Sequence, residues 1–183
     1  YMGMIATGSY AFDCENIDVP FQRAFQILPE SATLPDPIFQ YPFLQLAEAT
    51  LAVNILGISL HLQELIRESF WKRNEKKRFS EKQLAYANQL FEETAVQLGE
   101  VKITLYGAVE KSWSELERDG AIKENSLQEV SKASRALVQV ARTCNASIYP
   151  LAGLEAAKSD SELNRVWRDF NTVSQHSLLT FPF

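Results

Sequence analysis

Beyond Pro42 the apolar residues of this chain recur at steps of three and four almost to its end, a spacing that builds helices and not strands. In the first run, Phe43 to Trp71, Phe43, Leu46, Ala47, Leu51, Val53, Ile55, Leu56, Ile58 and Leu60 cover nearly all sides, the pattern of a buried central helix. Gln45, Glu48 and Asn54 interrupt it, which argues against a membrane span. The basic turn KRNEKKRF follows, and Ser80-Glu81-Lys82-Gln83 has the form of a capping box opening a second helix. One stripe from Leu84 through Phe91, Leu98 and Leu105 to Trp113 carries that helix to about Glu117, before Asp119-Gly120 stops it. Two further boxes, Ser126-Leu127-Gln128-Glu129 and Ser159-Asp160-Ser161-Glu162, predict the starts of a third and a fourth helix. Long helices joined by short loops predict an all-α fold, an antiparallel four-helix bundle over residues 43–183.

The first 42 residues read differently. Gly8 to Pro20 mixes aromatic and β-branched residues with turn formers, so one or two strands are expected there. A lone strand or hairpin is marginal in water, so residues 1–27 read as the end of a β-domain whose remainder lies elsewhere. Residues 28–42 hold four prolines in fifteen positions and read as a linker. The chain opens Tyr-Met-Gly-Met with no initiator methionine at position 1, as expected for a piece of a longer polypeptide.

Charge and cysteine usage narrow the function classes. A net charge of −5 argues against a nucleic-acid or anionic-membrane surface. Cys14 and Cys144 alone give neither a disulfide framework nor a zinc spacing, so a reduced, cytoplasmic setting is expected. No GxGxxG, P-loop or GxSxG segment occurs, which leaves nucleotide-binding folds and serine hydrolases unsupported.

The last helix carries the candidate chemistry. Leu163, Val166, Phe170 and Val173 form its apolar side, while Arg165, Asp169, Thr172 and His176 fall at steps of four, three and four along another. One reading is a solvated face with an Arg165–Asp169 pair. The other is a cleft wall, with His176 as donor or proton shuttle. His61 reads as structural, and Trp71, Trp113 and Trp167 as core or subunit interface. The basic turn, with Arg73 and Arg78, reads either as a solvated turn or as one that meets a phosphate.

Two segments carry a family resemblance. GMIATGSYAFDCENIDVP (Gly3 to Pro20) resembles the end of the middle β-domain of the acyl-CoA dehydrogenase superfamily. LNRVWRDFNTVSQHSLL (Leu163 to Leu179) resembles its C-terminal helical domain, in the variant found in flavin-dependent hydroxylases. Many dehydrogenases of the superfamily place a catalytic glutamate just after the Arg-Asp motif. Here that stretch reads Ser174-Gln175-His176-Ser177, and neither a serine nor an amide can take an α-proton near neutral pH.

The resemblance therefore implies a two-component monooxygenase using oxygen and reduced flavin, FAD or FMN, supplied by a flavin reductase. It implies that His176 faces the reactive edge of the flavin, with Thr172, Gln175 and Arg78 as further cofactor contacts and Arg168 and Asp169 as anchors. It also implies a homotetramer assembled through the helices, and that this chain alone neither retains flavin nor turns over. Two rivals stand beside it: a dehydrogenase with its base elsewhere, Glu93 or Glu110, and a non-catalytic assembly module.

Overall fold

Pro42, at φ −57°, turns the linker into α1, Phe43–Asn74, which ends in the basic turn where Lys77 takes a positive φ of 50°. The computed structural model describes residues 2–8 and 10–181; Tyr1, Pro182, Phe183 and Ser9, within the segment read as strands, lie outside them. The second helix, α2, is Glu81–Asp119. Its start is the expected capping box: Ser80 Oγ accepts from the Gln83 amide, and Gln83 Oε1 accepts from the Ser80 amide at 2.9 Å. Its end is the expected Gly120, left-handed at φ 69°, whose amide donates to Leu116 O at 2.9 Å.

The two other boxes are displaced. Helix α3, Glu124–Ile148, has its N-cap three residues before the expected Ser126, at Lys123, which supplies no side-chain cap. Glu115 of α2 serves that end instead, its carboxylate accepting from the Lys123 amide at 3.0 Å and from Ser126 Oγ at 2.9 Å. Helix α4, Glu162–Val173, is capped by Ser161 and not Ser159; Ser161 Oγ accepts from the Asn164 amide at 3.2 Å. Tight turns from Tyr149 to Ala157 join α3 to α4, reversing at Gly153 (φ 65°). A last helical turn, α5, spans Ser177–Thr180.

Side-chain pairings fix the helix directions. Cys144 on α3 meets Gln97 on α2, and Glu129 meets Lys111, so these helices run antiparallel. Gln45 meets Ser131 while Ser59 and Gln63 meet Asn145, so α1 and α3 run parallel, with α2 returning the chain between them. Glu162 near His61, and Val166 and Asp169 near Gly57 and Ile58, set α4 antiparallel to α1.

Helix α3 packs extensively on both α1 and α2, and α4 lies on α1. The core runs through Ile55, Leu62, Ile66, Leu98, Leu105, Leu137 and Ile148, each at most 1% exposed. The most enclosed helix is thus α3 and not α1. On the outer side of α1, Phe43, Leu44, Val53 and Leu60 stay 40–55% exposed, because α3 and α4 cover only part of its circumference. By length and hydropathy α1 is apolar enough to cross a membrane. Its buried polar groups Glu48, Ser59 and Gln63 nevertheless all find partners on α3, as in a helix packed within protein.

The expected strands are corrected: among the described residues the N-terminal segment forms no strand, only short turns at Ile5–Thr7 and Phe21–Arg23. A strand needs a neighbour for its backbone hydrogen bonds, and none is beside it. Tyr10, Phe12, Phe21 and Phe25 accordingly stand more than 80% exposed. The linker holds turns at Pro29–Ser31 and Pro37–Gln40, then anchors through Tyr41, which is buried, shares a 2.7 Å hydrogen bond with Ser112 and stacks on Trp113.

Candidate functional site

The polar stripe expected on the last helix is broken before it reaches His176. Helix α4 ends at Val173, so Arg165, Asp169 and Thr172 share a face, whereas His176 sits at the N-cap of α5 with extended backbone (φ −57°, ψ 133°). The residues between, Ser174 and Gln175, turn the chain. The expected Arg165–Asp169 pair does not form. Arg165 lies 3.5 Å from Glu162, and Asp169 serves another partner.

That partner is the N-terminal segment. Asp169 Oδ1 accepts from the Met4 amide at 2.5 Å, and Thr172 Oγ1 accepts from the Gly3 amide at 2.9 Å while donating to Arg168 O at 2.9 Å. Gly3 is buried against α4; a Cβ there would lie 2.3 Å from the carbonyl carbon and oxygen of Arg168. Only a residue without a side chain fits this approach. The Gly-Met pair of the first motif and the Arg-Asp pair of the second are therefore one structural unit.

His176 itself is exposed. Its Nδ1 accepts from the Leu178 amide at 3.3 Å, which leaves Nε2 as the ring nitrogen that can donate outward. The turn is held from α3: Arg142 donates to Ser174 O, and Arg135 Nε donates to Leu178 O at 3.3 Å. Arg142 thus supplies a charged donor to the carbonyl at the C-cap of α4, and Arg135 one to a carbonyl of α5. Gln175 is exposed, its Nε2 donating back to Asn171 O at 2.7 Å.

Arg78 stands elsewhere. It lines an open cleft of about 650 Å³ at the C-terminal end of α1, where Lys72, Lys76 and Lys158 alternate with Glu68, Glu75, Glu155 and Glu162. The His176 turn is tied, through Arg135, to Glu48 near the start of the same helix. At 1.5 Å per residue, Glu48 and Asn74 are about 40 Å apart. His176, Gln175 and Thr172 are thus neighbours on the chain's last segment, and Arg78 does not join them within one chain.

Arg73, the other basic candidate, is committed to structure. It donates to Leu151 O and Ser69 O and lies over the Phe79 ring at 5.4 Å, and burial lowers its pKa. His61 is a surface residue between Glu64 and Glu162, at 3.6 and 3.4 Å. Glu93 and Glu110, the candidate bases of the dehydrogenase reading, both face solvent. Among the described residues no group of His, Cys, Asp and Glu could hold a metal ion.

Residues 47–181 match the profile of the acyl-CoA dehydrogenase C-terminal domain, and the chain belongs to that family. It is 26% identical over 186 aligned residues to an indole-3-acetate monooxygenase of Acinetobacter baumannii, an alignment covering 97% of this chain and 46% of that protein. Its fold is that of the HsaA monooxygenase from M. tuberculosis (TM-score 0.71, 16% identity) and of the 3-HSA hydroxylase from Rhodococcus sp. RHA1 (TM-score 0.71, 17% identity). In both comparisons the likeness covers 80% of this chain and 38% of the other. The chain thus spans about half the length of the curated relative it matches.

Proposed function

We propose that this chain is the C-terminal helical domain of a two-component flavin-dependent monooxygenase, and that His176 is the group it presents to the flavin. The reading is made for the longer polypeptide, since the alignment covers 46% of the relative's length. The observation that carries it is the exposed His176 turn: an imidazole whose Nδ1 accepts from the Leu178 amide and whose Nε2 is left to other partners, between Ser174-Gln175 and Ser177, where no carboxylate stands to abstract an α-proton. The monooxygenase named as its relative and the hydroxylase and monooxygenase of like fold support the same reading.

The residues fit such a cofactor. Flavin, when bound, supplies the electrons and the reaction with oxygen. His176 would donate a hydrogen bond or hold a proton at Nε2, and Gln175 offers an exposed amide beside it. Thr172 Oγ1, already donor to Arg168 O and acceptor from Gly3, keeps one lone pair. Arg78 stands far along α1 in a cleft of mixed charge, with Lys72 and Lys76 among Glu68, Glu75, Glu155 and Glu162, and would meet a phosphate held by a different copy of the chain. Exposed Val96, Ile103 and Tyr106, spaced seven and three along α2, supply an apolar face for the self-association this requires, a homotetramer.

The test compares electron acceptors. The parent polypeptide, given reduced flavin by a reductase, is expected to consume oxygen and hydroxylate an aromatic substrate, and to stay idle on acyl thioesters with an artificial acceptor. Turnover of the thioester without oxygen would replace this reading with a dehydrogenase.

A further inference from the structure

Glu48 is a carboxylate in the middle of an apolar helix face, with 0% of its side chain exposed. Both its oxygens are used. Oε1 accepts from Arg135 Nη2 at 2.6 Å, and Oε2 accepts from Ser131 Oγ at 2.5 Å. Ser131 Oγ in turn accepts from Gln45 Nε2 at 3.2 Å, so α1 holds the serine from two positions. An ion pair so buried is a poor source of stability, because desolvating its charges offsets most of their attraction and an apolar pair would pack as well. What it provides is direction. The planar guanidinium of Arg135 is fixed by Glu48 on one side, and its Nε is thereby aimed at Leu178 O at 3.3 Å. Leu178 also supplies the amide that His176 Nδ1 accepts.

We infer that Glu48 is a positioning residue for His176, acting through Arg135 and the main chain of Leu178, whose carbonyl Arg135 holds and whose N–H donates to the imidazole. A chain of four groups, Glu48, Arg135, Leu178 and His176, runs from the buried face of α1 to an exposed imidazole. Arg142, seven residues along α3 from Arg135, holds the other side of the same turn through Ser174 O. The turn contains neither glycine nor proline; beside its own local hydrogen bonds, these two arginines tie it to α3. The inference deepens the reading of His176 as the flavin-facing group and rests on that reading for its catalytic consequence.

Two measurements separate the positional claim from the functional one. In the first, amide exchange is followed in this chain for Glu48→Gln, Arg135→Met and Arg135→Lys. Exchange at Leu178 and Leu179 is expected to rise about tenfold or more in Glu48→Gln and Arg135→Met, to be partly restored in Arg135→Lys, and to stay unchanged at Leu98 and Leu105 of α2. No change at Leu178 and Leu179, or an equal rise throughout α2, overturns the inference. In the second, the parent polypeptide's reduced flavin is reoxidised by oxygen. Glu48→Gln is expected to alter its time course toward that of His176→Ala, and to add nothing to His176→Ala in the double variant. An additive double variant overturns action through His176. If His176→Ala alone leaves the time course unchanged, the flavin reading fails, and the exchange measurement still decides the positioning.

Discussion

The main-chain N–H of Met4 donates to Asp169 Oδ1 at 2.5 Å, joining residues 165 positions apart. With the Gly3–Thr172 bond beside it, this contact docks the N-terminal segment on α4, one turn before the His176 loop. Most of the segment beyond it is exposed, so the two bonds and the buried Gly3 hold it in place. Asp169→Ala should remove protection of the Met4 amide while shifting the melting temperature little, since the core of α1, α2 and α3 is untouched. Gly3→Ala should do the same by steric exclusion, its Cβ falling 2.3 Å from the Arg168 peptide. Amide exchange at residues 3 and 4, with a thermal melt of each variant, checks both; full protection of Met4 in Asp169→Ala would refute the contact.

Acid should open the α2–α3 junction. The Lys123 amide, donating to Glu115, is the main influence holding that carboxyl below its ordinary 4.5, with Ser126 and the charges of Lys123 and Lys111 adding to it. A depressed folded-state pKa contributes stability that is present above the unfolded value and lost as pH falls through the folded one. Glu115→Gln should therefore lower the melting temperature at neutral pH and flatten its fall below about pH 4.5. Melts of both proteins across that range test this; parallel curves would contradict it.

The two thiols should label at very different rates. Cys14 is exposed, whereas Cys144 is 1% exposed and donates to Gln97 Oε1 at 3.3 Å, and burial raises its pKa. A thiol reagent at neutral pH should modify one thiol per chain quickly and the second only as the core opens. Cys14→Ser should abolish the fast phase. Two fast equivalents would mean that the α2–α3 seam is open.

Deleting side chain from the centre should be costly in a way surface changes are not. Leu137 of α3 is fully buried within the core that α1 and α2 share. Leu137→Ala should lower unfolding free energy by ~2–5 kcal/mol, against about 0.5 or less for Glu93→Ala on the solvent face. Chemical denaturation of both variants measures the difference.

Helical periodicity made the all-α fold readable, and Ser80 and Gly120 marked the bounds of α2 because their signals are local, each satisfied by atoms within four residues. The start of α3 was displaced because its cap is Glu115, nine residues before Glu124 and on another helix, a partner no local pattern reveals. The same holds for His176. Thr172-Val173-Ser174-Gln175-His176 holds no glycine, proline or capping box to mark the break; the cap is His176 itself, and Arg142 and Arg135 hold the turn from α3. Periodicity therefore carried His176 onto a face that ends at Val173. Glu48 was visible as a charge inside an apolar run, but its meaning depended on Arg135, 87 residues away.

The most direct test follows reduced flavin bound to the parent polypeptide after rapid mixing with oxygenated buffer, with and without His176→Ala. In the parent a delay is expected between loss of reduced flavin and full recovery of the oxidised absorbance, shortened about tenfold or more in the variant. Identical, direct reoxidation in both proteins would contradict it and leave the dehydrogenase and assembly readings standing.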